Sequence, residues 1–347
     1  MRISRRSFVK RSSALVGTSL ASSWPLDGES RLAARASDTT PAINHANIPR
    51  MVCEDFTKRI DPAYLSNGLI GIRPPANPLA QGKVEVGGFV SSSASPYLVE
   101  SLSPAPYPLG MDLRIDGISL LEHPEKIMVK RQTLDLATGE LLAEMTFAPY
   151  SDVQLELKVL QFASRSVPCL LCQEVSILPS TDVRVQVVAR IDVENIPGRV
   201  YFNRPTARSD VDLTLGFYSP QDQSKLGVTV AVSAPGQLVR VGEQEVTDGA
   251  ARRTYTLQGQ RGETYRIQSI AAMVSQFYHP APELQAYRMA KWGQTLGFET
   301  LRKENQANWA ELWKSRVKVS GDSDAQRVLD AAFFIFTRVF TLPIRMG

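Results

Sequence analysis

The chain has 347 residues, room for more than one domain, and its 43% apolar and 21% charged content is that of a globular protein, not a disordered or fibrous one. Seven of its Lys/Arg and two of its Asp/Glu fall in residues 1–36, so the net charge of +4 becomes −1 beyond them. That leaves no basic footprint for nucleic acid, and no stretch reaches the roughly 20 apolar residues of a membrane span.

The chain opens on a targeting pattern. "SRRSFVK" (Ser4 to Lys10) resembles the twin-arginine export motif at nearly every position. A modestly apolar stretch follows, Ser12 to Trp24, and then "AARA" (Ala33 to Ala36), a small-x-small site that fits cleavage after Ala36. Residues 1–36 therefore read as a twin-arginine signal peptide, and the protein is expected to be exported to the periplasm or beyond. Residues 37–50, polar and proline-bearing, read as a linker.

From 51 to 277 the pattern is that of strands. Twelve candidates follow at short intervals, from "KVEVGGFV" (Lys83 to Val90) to "TYRIQSIAAMV" (Thr264 to Val274). In "VQLELKVLQF", Val153, Leu155, Leu157 and Val159 share one face, and Gln154, Glu156 and Lys158 share the other. Strands without interposed helices predict a large antiparallel sandwich.

Near Pro280 the period becomes helical, and residues 280–320 read as a helical linker. Trp309, Leu312 and Trp313 stand at i, i+3 and i+4, while Gly293 and Gly297 predict two helices or a bend. "VKVSGD" reads as a short extended element, and Asp322 or Ser323 as the cap of a last helix within 322–347. That helix places Val328, Leu329, Ala332, Phe333, Ile335, Phe336, Val339 and Phe340 on an apolar surface too wide for one neighbour. Arg327, Asp330 and Arg338 rule it out as a span.

The residues show no catalytic constellation. His45, His123 and His279 stand singly in loops, without metal-ligand spacing. Nucleotide and nucleophile-elbow motifs are absent, and "VEVGGFVSSS" has no helix behind it to hold a phosphate. Cys169 and Cys172 have redox-motif spacing but lie in a strand. There their Cα atoms stand roughly 10 Å apart, beyond disulfide reach, so both read as buried structural cysteines. A bond from Cys53 to either stays open. The pairs Asp112/Asp116 and Glu140/Glu144 each share a strand face, where acids on a solvated face are the default.

Several stretches together resemble glycoside hydrolase family 65, in that family's order. They are "YLSNGLIGIRP" (Tyr64 to Pro74), "VEVGGFV" (Val84 to Val90), "PAPYPLGMDLRIDGISL" (Pro104 to Leu120), "RQTLDLATGELLAEMTF" (Arg131 to Phe147) and "NWAELWKSRVKVSGD" (Asn308 to Asp322). Two positions depart: Asn305 stands where relatives often carry histidine, and Ala143 where a polar residue is common. The resemblance implies a mainly β fold: a galactose-mutarotase-like super-β-sandwich, a helical linker, and the first helix of a truncated (α/α)6 barrel. In the family a barrel glutamic acid protonates an α-glucoside, and water or phosphate attacks with inversion. No catalytic residue carries over onto this sequence, and no cofactor or metal is implied. The chain is thus expected to be the N-terminal region of an exported inverting α-glucoside hydrolase for a disaccharide or glucosylated conjugate, and inactive alone. The alternatives are a disaccharide phosphorylase of the same family, or a non-enzymatic carbohydrate-binding sandwich. The expected partners are the carbohydrate substrate, met through the missing barrel, and a second copy in a homodimer.

Overall fold

The computed structural model describes residues 48–57, 63–92, 100–202, 213–234, 238–246 and 250–336. The chain divides into two units, Met1–Ala42 and Ile43–Gly347, and all described residues belong to the second. The signal peptide, His45, Arg338, Val339 and Phe340 lie outside them.

Among the described residues, eighteen strands form three antiparallel sheets. The largest has nine strands, in the order β1 (Arg50–Cys53), β8 (Ile127–Asp135), β9 (Glu140–Phe147), β10 (Leu155–Ala163), β11 (Leu170–Pro179), β18 (Tyr265–Ser275), β15 (Lys225–Ser233), β14 (Leu213–Tyr218) and β13 (Arg199–Phe202). The second runs β16 (Leu238–Val246), β17 (Ala250–Gly259), β12 (Val183–Asp192), β6 (Tyr107–Ile115) and β7 (Ile118–Ser119). The third runs β2 (Leu65–Ser66), β3 (Ile70–Arg73), β4 (Lys83–Ser92) and β5 (Glu100–Pro104). Side chains from all three sheets share one continuous core, which makes the fold a mainly β sandwich. Each of the twelve expected strands is present. Buried polar groups cross this core in pairs: Gln161 Nε2 donates to Gln173 Oε1 at 2.6 Å, and Gln173 Nε2 donates to the Leu109 carbonyl at 3.1 Å.

The inward positions of β10 are Leu155, Leu157 and Val159. On the outward side the strand changes character part-way along. Glu156 and Lys158 are exposed, whereas Leu160 and Phe162 are buried in a second, smaller core. Helices α1 (Pro282–Leu296) and α2 (Phe298–Trp313) build that second core on the outer face of the nine-stranded sheet. Their buried residues include Ala286, Ala290, Phe298 and Leu301. The close approach depends on Gly227, where a Cβ would stand 2.2 Å from the Pro282 carbonyl carbon. The chain turns between the helices at Gly297, the later of the two glycines at which a bend is expected.

A third helix, α3 (Ser323–Phe336), follows. Asp322 is its cap, with Oδ1 accepting from Asp324 N and Ala325 N at 2.9 Å each. The expected extended element at Val317–Asp322 is not a strand. Among the described residues no strand pairs with it. Instead the Gln326 side chain accepts from Val319 N at 2.8 Å and donates to the Val317 carbonyl at 3.0 Å. Among the described residues no helix is long and apolar enough to cross a membrane.

Candidate functional site: the joint between sandwich and helices

Three of the four paired carboxylates are engaged by neighbouring donors or cations. Asp112 is only 1% exposed, which corrects its reading as part of a solvated face. It accepts from Ser119 Oγ at 2.8 and 2.9 Å and from Arg114 Nε at 2.7 Å, closing the β6–β7 hairpin. Asp116 sits in that hairpin's turn at φ 48. Glu140 and Glu144 do share the outer face of β9, but each faces a cation: Arg302 for the first, and Lys158, at 3.2 Å, for the second. A groove of about 640 Å³ runs here beside α2, with Glu144, Lys158, Glu174 and Arg302 among its walls.

The lone histidines are local. His123 Nδ1 lies 3.0 Å from Glu125 Oε1, and His279 Nδ1 accepts from the Ala281 amide at 3.1 Å. The three cysteines are free thiols, so the open possibility of a bond to Cys53 is not realised. Burial pushes the Cys169 thiol up to about 11 and the Cys172 thiol higher still, which keeps both protonated and inert. Among the described residues no group of three His, Cys, Asp or Glu side chains could hold a metal ion.

What the structure does assemble is a joint. The turn between β8 and β9 is folded on itself: Gly139 N donates to the Asp135 carbonyl and Ala137 N to Asp135 Oδ1, both at 2.9 Å. Helix α2 lies on this turn and grips it at successive helical turns. Arg302 donates to both oxygens of Glu140, at 3.0 and 2.9 Å, and Gln306 Nε2 adds a third bond at 2.7 Å. Asn305, fully buried, donates from Nδ2 to the Thr138 carbonyl at 2.9 Å and accepts from Arg165 N at 3.2 Å. Trp313 Nε1 donates to the Leu136 carbonyl at 3.0 Å. The Trp309 indole lies against Gly139, whose φ of +63 suits glycine and where a Cβ would stand 2.3 Å from the ring nitrogen.

The joint extends at both ends. Asn67, in the turn before β3, donates to the Ser164 and Pro168 carbonyls at 2.7 and 2.8 Å and accepts from Leu69 N and Ile70 N. It thereby ties the β2–β3 turn to the β10–β11 turn, which supplies Arg165 to Asn305. On the far side, Phe334 of α3 stacks on Trp309 at 4.8 Å and Phe333 packs on Trp313 at 4.9 Å. Arg316 donates to both oxygens of Asp330 at 2.7 and 2.6 Å, with both side chains almost buried.

Sequence reasoning picked out Trp309 and Trp313 but missed Phe334, which is 1% exposed while its neighbours Ile335 and Phe336 are 55% and 75% exposed. Three of the quoted stretches, "YLSNGLIGIRP", "LDLATGELL" and "NWAELW", contribute to the joint, while Arg302, Asn305, Gln306, the β10–β11 turn and α3 lie outside them.

Residues 63–312 match the family described as "Glycosyl hydrolase family 65, N-terminal domain". The chain belongs to glycosyl hydrolase family 65. Two curated relatives are kojibiose hydrolases. The one from Mucilaginibacter mallensis is 23% identical over 287 residues, which are 78% of this chain and 40% of the relative. The one from Flavobacterium johnsoniae is 23% identical over 299 residues, 82% of this chain and 42% of the relative. The family 65 chain thus spans about two fifths of the length of the curated relatives it matches. A solved structure, a candidate kojibiose phosphorylase from the human microbiome, superposes with a TM-score of 0.70 at 12% identity. It covers 83% of the family 65 chain and 41% of its own, and it fixes the fold alone.

Proposed function

We infer that this chain is the N-terminal region of an exported, inverting α-glucoside hydrolase, acting on a disaccharide or a glucosylated conjugate. The observation that carries the reading is the family match over residues 63–312 together with two kojibiose hydrolases among the relatives. The sandwich and its helices act as a scaffold. The reacting groups belong to a helical barrel that continues from α3, where one carboxylic acid protonates the glycosidic oxygen and a second carboxylate activates water on the opposite face. The exposed apolar face of α3, with Val328 69% and Phe336 75% exposed, fits a helix meant to be covered by further helices.

Export supports water over phosphate as the nucleophile. A sugar phosphate made outside the cell would be lost to it, whereas free glucose can be taken up. The test assays this chain alone, and the same chain extended through a barrel, against kojibiose and trehalose. This chain alone is expected to release no glucose. The extended protein is expected to release β-glucose without added phosphate, read by proton NMR before mutarotation. Dependence on phosphate would overturn the hydrolase reading. For export, a reporter fused behind residues 1–36 should reach the periplasm, and Arg5→Lys with Arg6→Lys should hold it in the cytoplasm.

A further inference from the structure

We propose that the β8–β9 turn, Asp135–Glu140, fixes the pose of α3 on the sandwich, with Gly139, Glu140, Asn305 and Trp309 as positioning residues. The contacts form a relay of stiff parts. The turn is closed by its own hydrogen bonds. Each indole of α2 touches the turn on one side and a phenylalanine of α3 on the other: Trp309 between Gly139 and Phe334, Trp313 between the Leu136 carbonyl and Phe333. Indoles have only two side-chain torsions, so a shift of the turn passes on to α3 with little slack. The Arg316–Asp330 pair and the Gln326 side chain then lock α3 to the segment leaving α2.

This relay is separable from the seating of the helices on the sheet. Helix α1 and the start of α2 are held by Ala286, Ala290, Phe298 and Leu301 against Leu160, Phe162, Leu170 and Ile270, and that core includes no residue of the turn. Loosening the turn should therefore free α3 while α1 stays seated. A residue that merely adds to overall stability would loosen both.

Hydrogen–deuterium exchange of the full chain distinguishes these. In Gly139→Ala and Glu140→Ala, the amides of α3 should exchange about tenfold faster or more, while those of α1, β10 and β11 keep their rates. The reversed pair Glu140→Arg with Arg302→Glu should restore slow exchange in α3. The proposal fails if α3 keeps its rate in both single variants, or if α1 and the strands speed up equally with it. If Gly139→Ala does not fold, Glu140→Ala carries the test, because it leaves the turn's backbone unchanged.

Discussion

The outer face of the nine-stranded sheet holds two regions made from the same strands. Under α1 and α2 it is apolar and buried: Leu160, Phe162, Leu170, Cys172 and Ile270 all belong to the second core. A few residues along the same strands it is open and charged: Glu144, Lys158 and Arg131 line the groove. Strand β10 passes from one region to the other between Lys158 and Leu160. The alternation of a half-buried strand thus gives way to the continuous burial of a strand covered on both sides. The lesson is that the helices do not simply rest on the sheet. Their footprint is written into it, position by position.

Substitutions can break or sharpen that contrast. The largest effect is expected in the covered half. Phe162 is fully buried and meets Phe298 edge-on at 5.5 Å, so Phe162→Ala should cost about 3–5 kcal/mol in urea denaturation. Gly227→Ala should come next, at about 1–3 kcal/mol, because the new methyl collides with the first turn of α1. At the border between the halves, Asn305→Leu leaves the Thr138 carbonyl and the Arg165 amide without their partner, an expected loss of about 1–3 kcal/mol. In the open half, Lys158→Ala removes one exposed partner of Glu144 and should change stability by no more than about 0.5 kcal/mol. A cost above 2 kcal/mol there would erase the distinction.

A chemical probe sharpens the same point, first in the parent chain and then in a variant. Cys172 is fully buried in the covered half, while Cys53 is partly exposed. With native protein at pH 8, iodoacetamide should modify Cys53 and leave Cys172 untouched until denaturant is added. In Gly227→Ala, Cys172 should label faster than in the parent chain, since lifting α1 uncovers it. Equal rates for the two cysteines in native protein would mean that the helices do not stay down.

The long strands were legible in the sequence because each carries several cycles of alternation. The strands it did not show, β1, β2, β3, β5 and β13, have only two to five residues each. Too few positions are present for a period of two to stand out. The apolar face of α3 was legible as a surface, but not which part of it is inside. "AAFFIF" offers an apolar side chain at every angle, and Phe334 is chosen only because Trp309 stands across from it. The joint shows the same limit. Asn305 binds a carbonyl 167 residues away and Trp313 one 177 residues away. Local pattern gave both helix positions; nothing local names the turn that they grip.

Asn67 carries a consequence for how the protein ages. Asparagine followed by glycine is the least durable pair in a polypeptide. The glycine amide nitrogen attacks the asparagine side-chain carbon, ammonia leaves, and the resulting ring opens to aspartate or isoaspartate. Here the pair is Asn67–Gly68, and both reacting groups are held in other hydrogen bonds. The Asn67 side chain is pinned by four hydrogen bonds, and the Gly68 amide donates to Ser66 Oγ at 3.2 Å. The folded chain shelters this bond, and each unfolding exposes it. A converted copy keeps no side-chain amide to hold the Ser164 and Pro168 carbonyls, so damage taken while unfolded would be carried into every later attempt to refold.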